Sequence, residues 1–253
     1  SGPFQVAETS SNPLFVVLDN FGTSPEAVRV IAYDNERLVF PKDPTASAIR
    51  IAHMIADVGP LDIYVEGELV DQNISFQEVG MIKEVAPGDR AFSITSAGNS
   101  DDVIVQETLA VSPGDFHTVA LINSMEEPLA VINTDSFRRI PQTITLTISN
   151  YSTNAADVSI FVLEAGEDPS DSFPITQQRF GQTTVNTLPE NNYEFFVYNP
   201  LSNIPLAGPL LLAASGKALY RIYIADQTDP SLPIQLLLGD DLDPPFEPLI
   251  NHD

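Results

Sequence analysis

Residues 49–65, IRIAHMIADVGPLDIYV, can be laid over residues 146–162, LTISNYSTNAADVSIFV, without a gap and at an offset of 97 residues. Each stretch reads as an alternating apolar strand, a loop of small and polar residues, and a second alternating strand. An interval of this size suits a small β-sandwich rather than a solenoid repeat. The correspondence continues outward in chain order. Leu61, Ile63 and Val65 answer Val158, Ile160 and Val162; Gly80 answers Gly181; Pro87 answers Pro189. Phe92 and Ile94 match the strand of Tyr193, Phe195 and Val197, and Leu109 and Val111, ending at Ser112-Pro113-Gly114, match Leu211, which leads to Ser215-Gly216. Val119 and Leu121 answer Ile222 and Ile224, and the closing strand, Leu129 and Val131 before Asp135, answers Pro233-Ile234 and Asp240.

The spacing therefore predicts an all-β chain: two tandem immunoglobulin-like antiparallel β-sandwiches, each around its own core, with an extra N-terminal hairpin. The expected boundaries are 1–45 for the extension, 46–138 for the first sandwich, and 139–253 for the second with a Pro-rich tail. Residues 15–18 and 28–31 read as the strand pair of the extension. They fit the opening pair of a unit (Asn20 over His53, Val28 over Leu61) as well as the closing pair. An isolated hairpin is marginal in water, so this one is expected to dock on the first sandwich, most simply as added edge strands. Residues 137–142 are a short linker, which predicts sandwiches that touch.

Bulk composition narrows the function classes. Acidic residues number 35 and basic ones 11, a net charge of −24. Such a surface repels phosphate backbones and anionic membranes, so nucleic acid is excluded as a natural partner. The chain has no cysteine, which removes disulfides, thiolate catalysis and zinc–thiolate sites. Its 21 prolines suit loops and strand edges rather than long helices. No apolar run is long enough to form a membrane-spanning helix. Ser1-Gly2-Pro3 reads as the stub left by tag removal, so a signal sequence is expected to have been removed.

The strand, loop and Asp62-Ile63-Tyr64-Val65-Glu66-Gly67 run, followed by Val85-Ala86-Pro87-Gly88 and by Pro113-Gly114-Asp115-Phe116-His117-Thr118-Val119, resembles the bacterial domain of unknown function 4397 family. The family's unit opens with an R-V-x-H/N-A-S-P-D-A-P-x-V-D-V-Y-V-D-G type stretch, and here Ile49-Arg50-Ile51-Ala52-His53 stands for its start. The second unit departs from it, with Val162-Leu163-Glu164-Ala165 in place of the Val-x-Gly turn and an acidic insertion over residues 165–174. The Ser-Pro-Asp-Ala-Pro loop of the family is altered to Ile55-Ala56-Asp57-Val58-Gly59-Pro60. The resemblance implies tandem β-sandwiches of exported bacterial proteins, periplasmic or surface-associated and frequently lipid-anchored. It implies no activity and no catalytic residues.

No Gly-x-Ser-x-Gly elbow, His-Glu-x-x-His pair or phosphate loop is present, and no catalytic or cofactor-binding residues are assigned. His53 ends the first strand where Asn150 and Asn20 stand in the echoes, so it is expected to hydrogen-bond backbone at the loop mouth. His117, answered by Tyr220, reads as a half-exposed packing position. His53 and Asp57, at one loop, and the linker pair Arg138 and Arg139 are the candidate ligand or partner contacts. Asp240, Asp241 and Asp243 are the candidate metal ligands, with calcium as the ion their oxygens would suit; Glu167, Asp168 and Asp171 form a second acidic loop. The expected function is a non-enzymatic envelope or surface module, structural or adhesive, with an unknown protein or glycan partner. A calcium- or carbohydrate-binding protein is the alternative, and an unrecognised hydrolase the third reading.

Overall fold

The computed structural model describes residues 14–20, 28–34, 37–39, 47–135, 140, 142–214, 218–227 and 233–240. Strands dominate it. β1 (Leu14–Asn20), β2 (Val28–Asp34) and β3 (Arg37–Val39) form an antiparallel sheet of their own. The expected N-terminal strand pair is therefore present, and β3 extends it. Among the described residues these strands hydrogen-bond with one another and form a sheet separate from those of the sandwiches.

Then come β4 (Ser47–His53), β5 (Leu61–Val65), β6 (Glu68–Ile74), β7 (Lys83–Val85), β8 (Gly88–Ser96), β9 (Val103–Val111), β10 (Phe116–Asn123) and β11 (Pro128–Asp135). They build two four-stranded sheets, β11-β10-β4-β7 and β6-β5-β8-β9. The next eight are β12 (Thr143–Asn150), β13 (Asp157–Glu164), β14 (Thr176–Arg179), β15 (Thr183–Pro189), β16 (Asn192–Tyr198), β17 (Pro205–Ala213), β18 (Leu219–Asp226) and β19 (Ile234–Asp240). Their sheets, β19-β18-β12-β15 and β14-β13-β16-β17, repeat the first pair strand for strand. The only helical element among the described residues is a 3₁₀ turn at Pro169–Asp171, inside the acidic insertion.

Most ladders are antiparallel, but β4 with β10 and β12 with β18 run parallel. These partners lie far apart in sequence, so no hairpin turn dictates their direction. The Glu66-Gly67 turn shows why the family-like stretch ends in glycine. Both residues have positive φ, +53° and +81°, as a two-residue hairpin turn between β5 and β6 requires.

Each sandwich has its own core. Ile51, Leu61, Ile63, Phe92, Ile94 and Val119 are among the residues filling the first. Leu146, Ile148, Val158, Ile160, Phe195 and Ile222 belong to the second. The alternating positions read from the sequence are these core positions, with exceptions on β11 and β17. On β11, Ala130 and Ile132 face the first core, Val131 faces away, and Leu129 is exposed. On β17, Leu210 and Leu212 point inward and Leu211 outward. His117 and Tyr220 are both buried, not half-exposed, because each shares the inward face of its strand, His117 with Val119 and Leu121 and Tyr220 with Ile222 and Ile224.

A third apolar cluster joins the two sandwiches. It contains Ala52, Met54, Ala120 and Ile122 from the first and Tyr151, Tyr223 and Ala225 from the second. The sheets carrying β4/β10 and β12/β18 are thus packed face to face, giving a stack of four sheets. The contacting residues are sequence equivalents: Met54 answers Tyr151, Ala120 answers Tyr223, and Ile122 answers Ala225. Matching patches packed on each other define an approximate two-fold axis. Its direction follows from three contacts. Gln77, beyond the upper end of β6, donates Nε2–H to the carbonyl of Asp226 at the upper end of β18, 2.7 Å. A Cβ on Gly181 would sit 3.8 Å from Ile122 Cδ1, both at the upper end. Asp135 and Arg221 meet at the lower end, 2.8 Å apart. Like ends meet, so the axis runs along the strands. β11 finishes and β12 starts at the same lower end, which is why a short linker suffices.

Candidate binding face

The β4–β5, β6–β7, β8–β9 and β10–β11 loops emerge from the upper end of the first sandwich. Their counterparts β12–β13, β14–β15 and β16–β17 emerge from the same end of the molecule.

Buried polar groups fix the roots of these loops. His53 is fully buried. Its Nε2–H donates to Gly59 O at 3.1 Å, and its Nδ1 accepts from the Ile55 amide at 3.4 Å. Asn150 does the same work in the second sandwich. Its Nδ2–H donates to Ala155 O at 2.9 Å and its Oδ1 accepts from the Ser152 amide at 3.2 Å. In each case one planar side chain closes the loop through one donor and one acceptor. Asp226 pins the β12–β13 loop further, accepting from Ser152 Oγ, from Thr153 Oγ1 at 2.6 Å, and from the Asn154 amide at 3.1 Å. No sequence signal marked Asp226, because its partners lie more than seventy residues away.

Asp57 is exposed and sits in the β4–β5 loop, where its carboxylate accepts from the Met125 amide at 3.1 Å and ties that loop to β10–β11. The structure thus brings His53 and Asp57 into one loop, His53 at its root and Asp57 on its surface. Arg138, Arg139, Asp241 and Asp243 lie outside the described residues, and of Asp240 only its place at the end of β19 is described. Among the described residues no group of three His, Asp or Glu side chains is arranged to hold a metal ion. No helix among them is long and apolar enough to cross a membrane.

Burial holds the pKa of His53 and of His117 below the ordinary histidine value. The folded protein therefore keeps both neutral where the unfolded chain starts to take up protons. Stability is full above about pH 6.5 and is lost as pH falls from there toward the folded values. His53→Asn, which installs the side chain used at position 150, is expected to cost about 1 kcal/mol at pH 7.5. It is also expected to shrink the loss between pH 7.5 and pH 5.5; urea unfolding at the two pH values measures both.

The polar cluster at the lower end of the seam is a continuous relay. Arg50 Nε–H donates to Thr118 Oγ1 at 2.9 Å, and Thr118 Oγ1–H donates to Asp135 Oδ2 at 2.6 Å. Arg221 Nη2 meets Asp135 Oδ1 at 2.8 Å, and Arg50 Nη2 lies 3.6 Å from Oδ2. All four side chains are buried. The cluster binds the two halves together.

Residues 47–161 match a family model described as "Domain of unknown function (DUF4397)". The match spans the first sandwich and runs into β12 and β13. No curated protein matches the chain. Similar solved structures include the family 26 carbohydrate-binding module CBMbc of Eubacterium rectale Amy13K in complex with maltoheptaose, at 9% identity and TM-score 0.25, covering 80% of this chain and 100% of that one. An α-glucan-binding streptococcal virulence factor aligns at 9% identity and TM-score 0.25, over 70% of this chain and 92% of that one. The tip fimbrial protein Mfa3 of Porphyromonas gingivalis aligns at 12% identity and TM-score 0.24, over 77% and 99%. At these TM-scores none of the three carries its ligand over to this chain.

Proposed function

We propose that this chain is a non-enzymatic, exported bacterial envelope or surface module, that its second sandwich is a diverged copy of the family domain matched by the first, and that it binds a protein or glycan through the loops of its upper end. The observation that carries the reading is the placement of equivalent loops of both sandwiches at one end of a stack locked by a buried seam. Loops held rigidly by buried His53, Asn150 and Asp226 form a prearranged surface, and prearrangement lowers the ordering cost of binding. Calcium held by Asp240, Asp241 and Asp243 is the alternative for the acidic segment.

A thermal-shift screen tests both readings, with a neutral and acidic oligosaccharide panel in one arm and millimolar calcium in the other. A ligand at a hundred times its dissociation constant adds about 2.7 kcal/mol and raises the melting temperature. The loop reading expects a glycan-dependent rise that Asp57→Ala, which frees the β10–β11 loop, weakens. A rise with calcium that Asp241→Asn/Asp243→Asn abolishes supports the alternative. Turnover of an oligosaccharide on the panel overturns the non-enzymatic reading.

A further inference from the structure

The N-terminal hairpin has the register of a closing strand pair. β1 pairs with β2 from Leu14↔Asp34 to Asn20↔Val28, and β18 pairs with β19 from Tyr220↔Asp240 to Asp226↔Ile234, over seven pairs in each. The connections, residues 21–27 and 227–233, are equally long. β10 and β11 run in the same way from Phe116↔Asp135 to Asn123↔Pro128. In all three an aspartate closes the second strand, and Asn20, Asn123 or Asp226 ends the first. The remaining hairpins finish at Ile74, Val111, Arg179 and Ala213 rather than at aspartate. The opening pair of a unit differs more. β4 and β5 belong to different sheets, as do β12 and β13, so neither pair shares a ladder. Of the two fits that the sequence allows, only the closing pair hydrogen-bonds as β1 and β2 do.

We propose that β1 and β2 are the last two strands of a third sandwich, and that the open edge of β1 receives the first strand of that sandwich, in parallel, from a segment preceding this chain in the full-length polypeptide. In the two complete sandwiches β10 lies between β11 and β4, and β18 between β19 and β12. The partners β4 and β12 run parallel to it. β1 has β2 on one side and, among the described residues, no strand on the other. β4 and β12 each sit between two strands already, so neither is free to fill the place. The residues before β1 are too few to fill it. A parallel neighbour needs a crossover of about a dozen residues or more in addition to the strand itself. The composition of β1 agrees. Leu14-Phe15-Val16-Val17-Leu18 is an uninterrupted apolar run, like Val119-Ala120-Leu121-Ile122 of β10, which is buried on both faces. At the edge of a three-stranded sheet such a strand is an unpaired apolar template. β3 is the one addition, pairing with the side of β2 at which β11 and β19 are edges.

The test compares this chain with a version lengthened at its N-terminus by the residues that its own gene places there. About 70–75 residues are needed for counterparts of the six strands β4 to β9. Hydrogen exchange and limited proteolysis are read on both. In the lengthened chain the amides of β1 are expected to exchange at least about 100-fold more slowly than in this chain, and the added residues should resist protease. Val16→Asp/Leu18→Asp in the lengthened chain should make the added residues protease-sensitive while residues 47–240 keep their protection. A gene with no strand-forming segment ahead of β1 overturns the proposal, as does an added segment that leaves exchange in β1 unchanged or survives the double substitution. So does protection of β1 in this chain that rises with protein concentration, because a second copy then fills the edge.

Discussion

Asp135→Ala is expected to lower the unfolding free energy by about 3–5 kcal/mol, the loss usual when one partner of a buried ion pair is removed. The carboxylate sits between two arginines that belong to different sandwiches, and the nearer of the two is Arg221 at 2.8 Å. Removing it leaves positive charge desolvated in the seam, and Thr118 loses the acceptor of its hydroxyl. The arginines cannot shed their charge by deprotonating, so the cost cannot be relieved that way. The seam should open before either core does. Urea unfolding followed by circular dichroism should change from one transition toward two, because each sandwich keeps its own apolar interior. Replacing Asp135 and both arginines together by leucine and methionine should restore most of the stability, since an apolar cluster of similar volume carries no uncompensated charge. A single transition with an unchanged midpoint in Asp135→Ala would show that the relay contributes nothing to the union of the halves.

The alternation of Leu61, Ile63 and Val65, and of Val158, Ile160 and Val162, made both cores legible in the sequence, because strands with one face toward a core reveal that face at every second residue. The seam was written less clearly. β4 and β18 are buried along their whole length, and β10 along nearly all of it. Strands covered on both faces lose the alternation and become continuous apolar runs, as in Thr118-Val119-Ala120-Leu121-Ile122. That run was a signal that something covers the second face, but it does not say what. Arg50, Asp135 and Arg221 could not be grouped from the sequence at all, because only the parallel pairing of β10 with β4 and the two-fold packing bring them together. β6, β7, β14 and β15 went unread for the opposite reason. They are short or half-exposed and lack an apolar pattern.

The loop roots divide in the same way. His53 and Asn150 were readable, since a polar side chain recurring at the end of equivalent strands implies a recurring backbone task, and both clamp the loop that follows. Asp226 has no polar echo of the same charge, because Asn123 stands at the matching place and donates to Glu127 O instead. The two sandwiches share a scaffold while their loops are held by different chemistry. Packing constrains the strand pattern, whereas loops are free to change.

Tyr223→Ala is the second large effect expected, and it attacks the seam through packing rather than charge. Tyr223 is 2% exposed and stacks on Tyr151 with ring centroids 5.9 Å apart. The facing positions on the first sandwich, Ala52 and Ala120, are small, so the aromatic pair fills the gap that they leave. Truncation removes the ring and leaves a cavity that two stiff sheets cannot close by shifting, at a cost of about 3–5 kcal/mol. The Tyr151 hydroxyl, which accepts from Asn133 Nδ2 at 2.7 Å across the seam, would lose the stack that positions it. If the two halves are held by this contact, the variant should expand in solution scattering before either sandwich unfolds. Tyr223→Phe, which keeps the ring, should remain compact and lose far less. Equal losses in the alanine and phenylalanine variants would place the stabilisation in the hydroxyl and remove packing as the force that holds the sandwiches together.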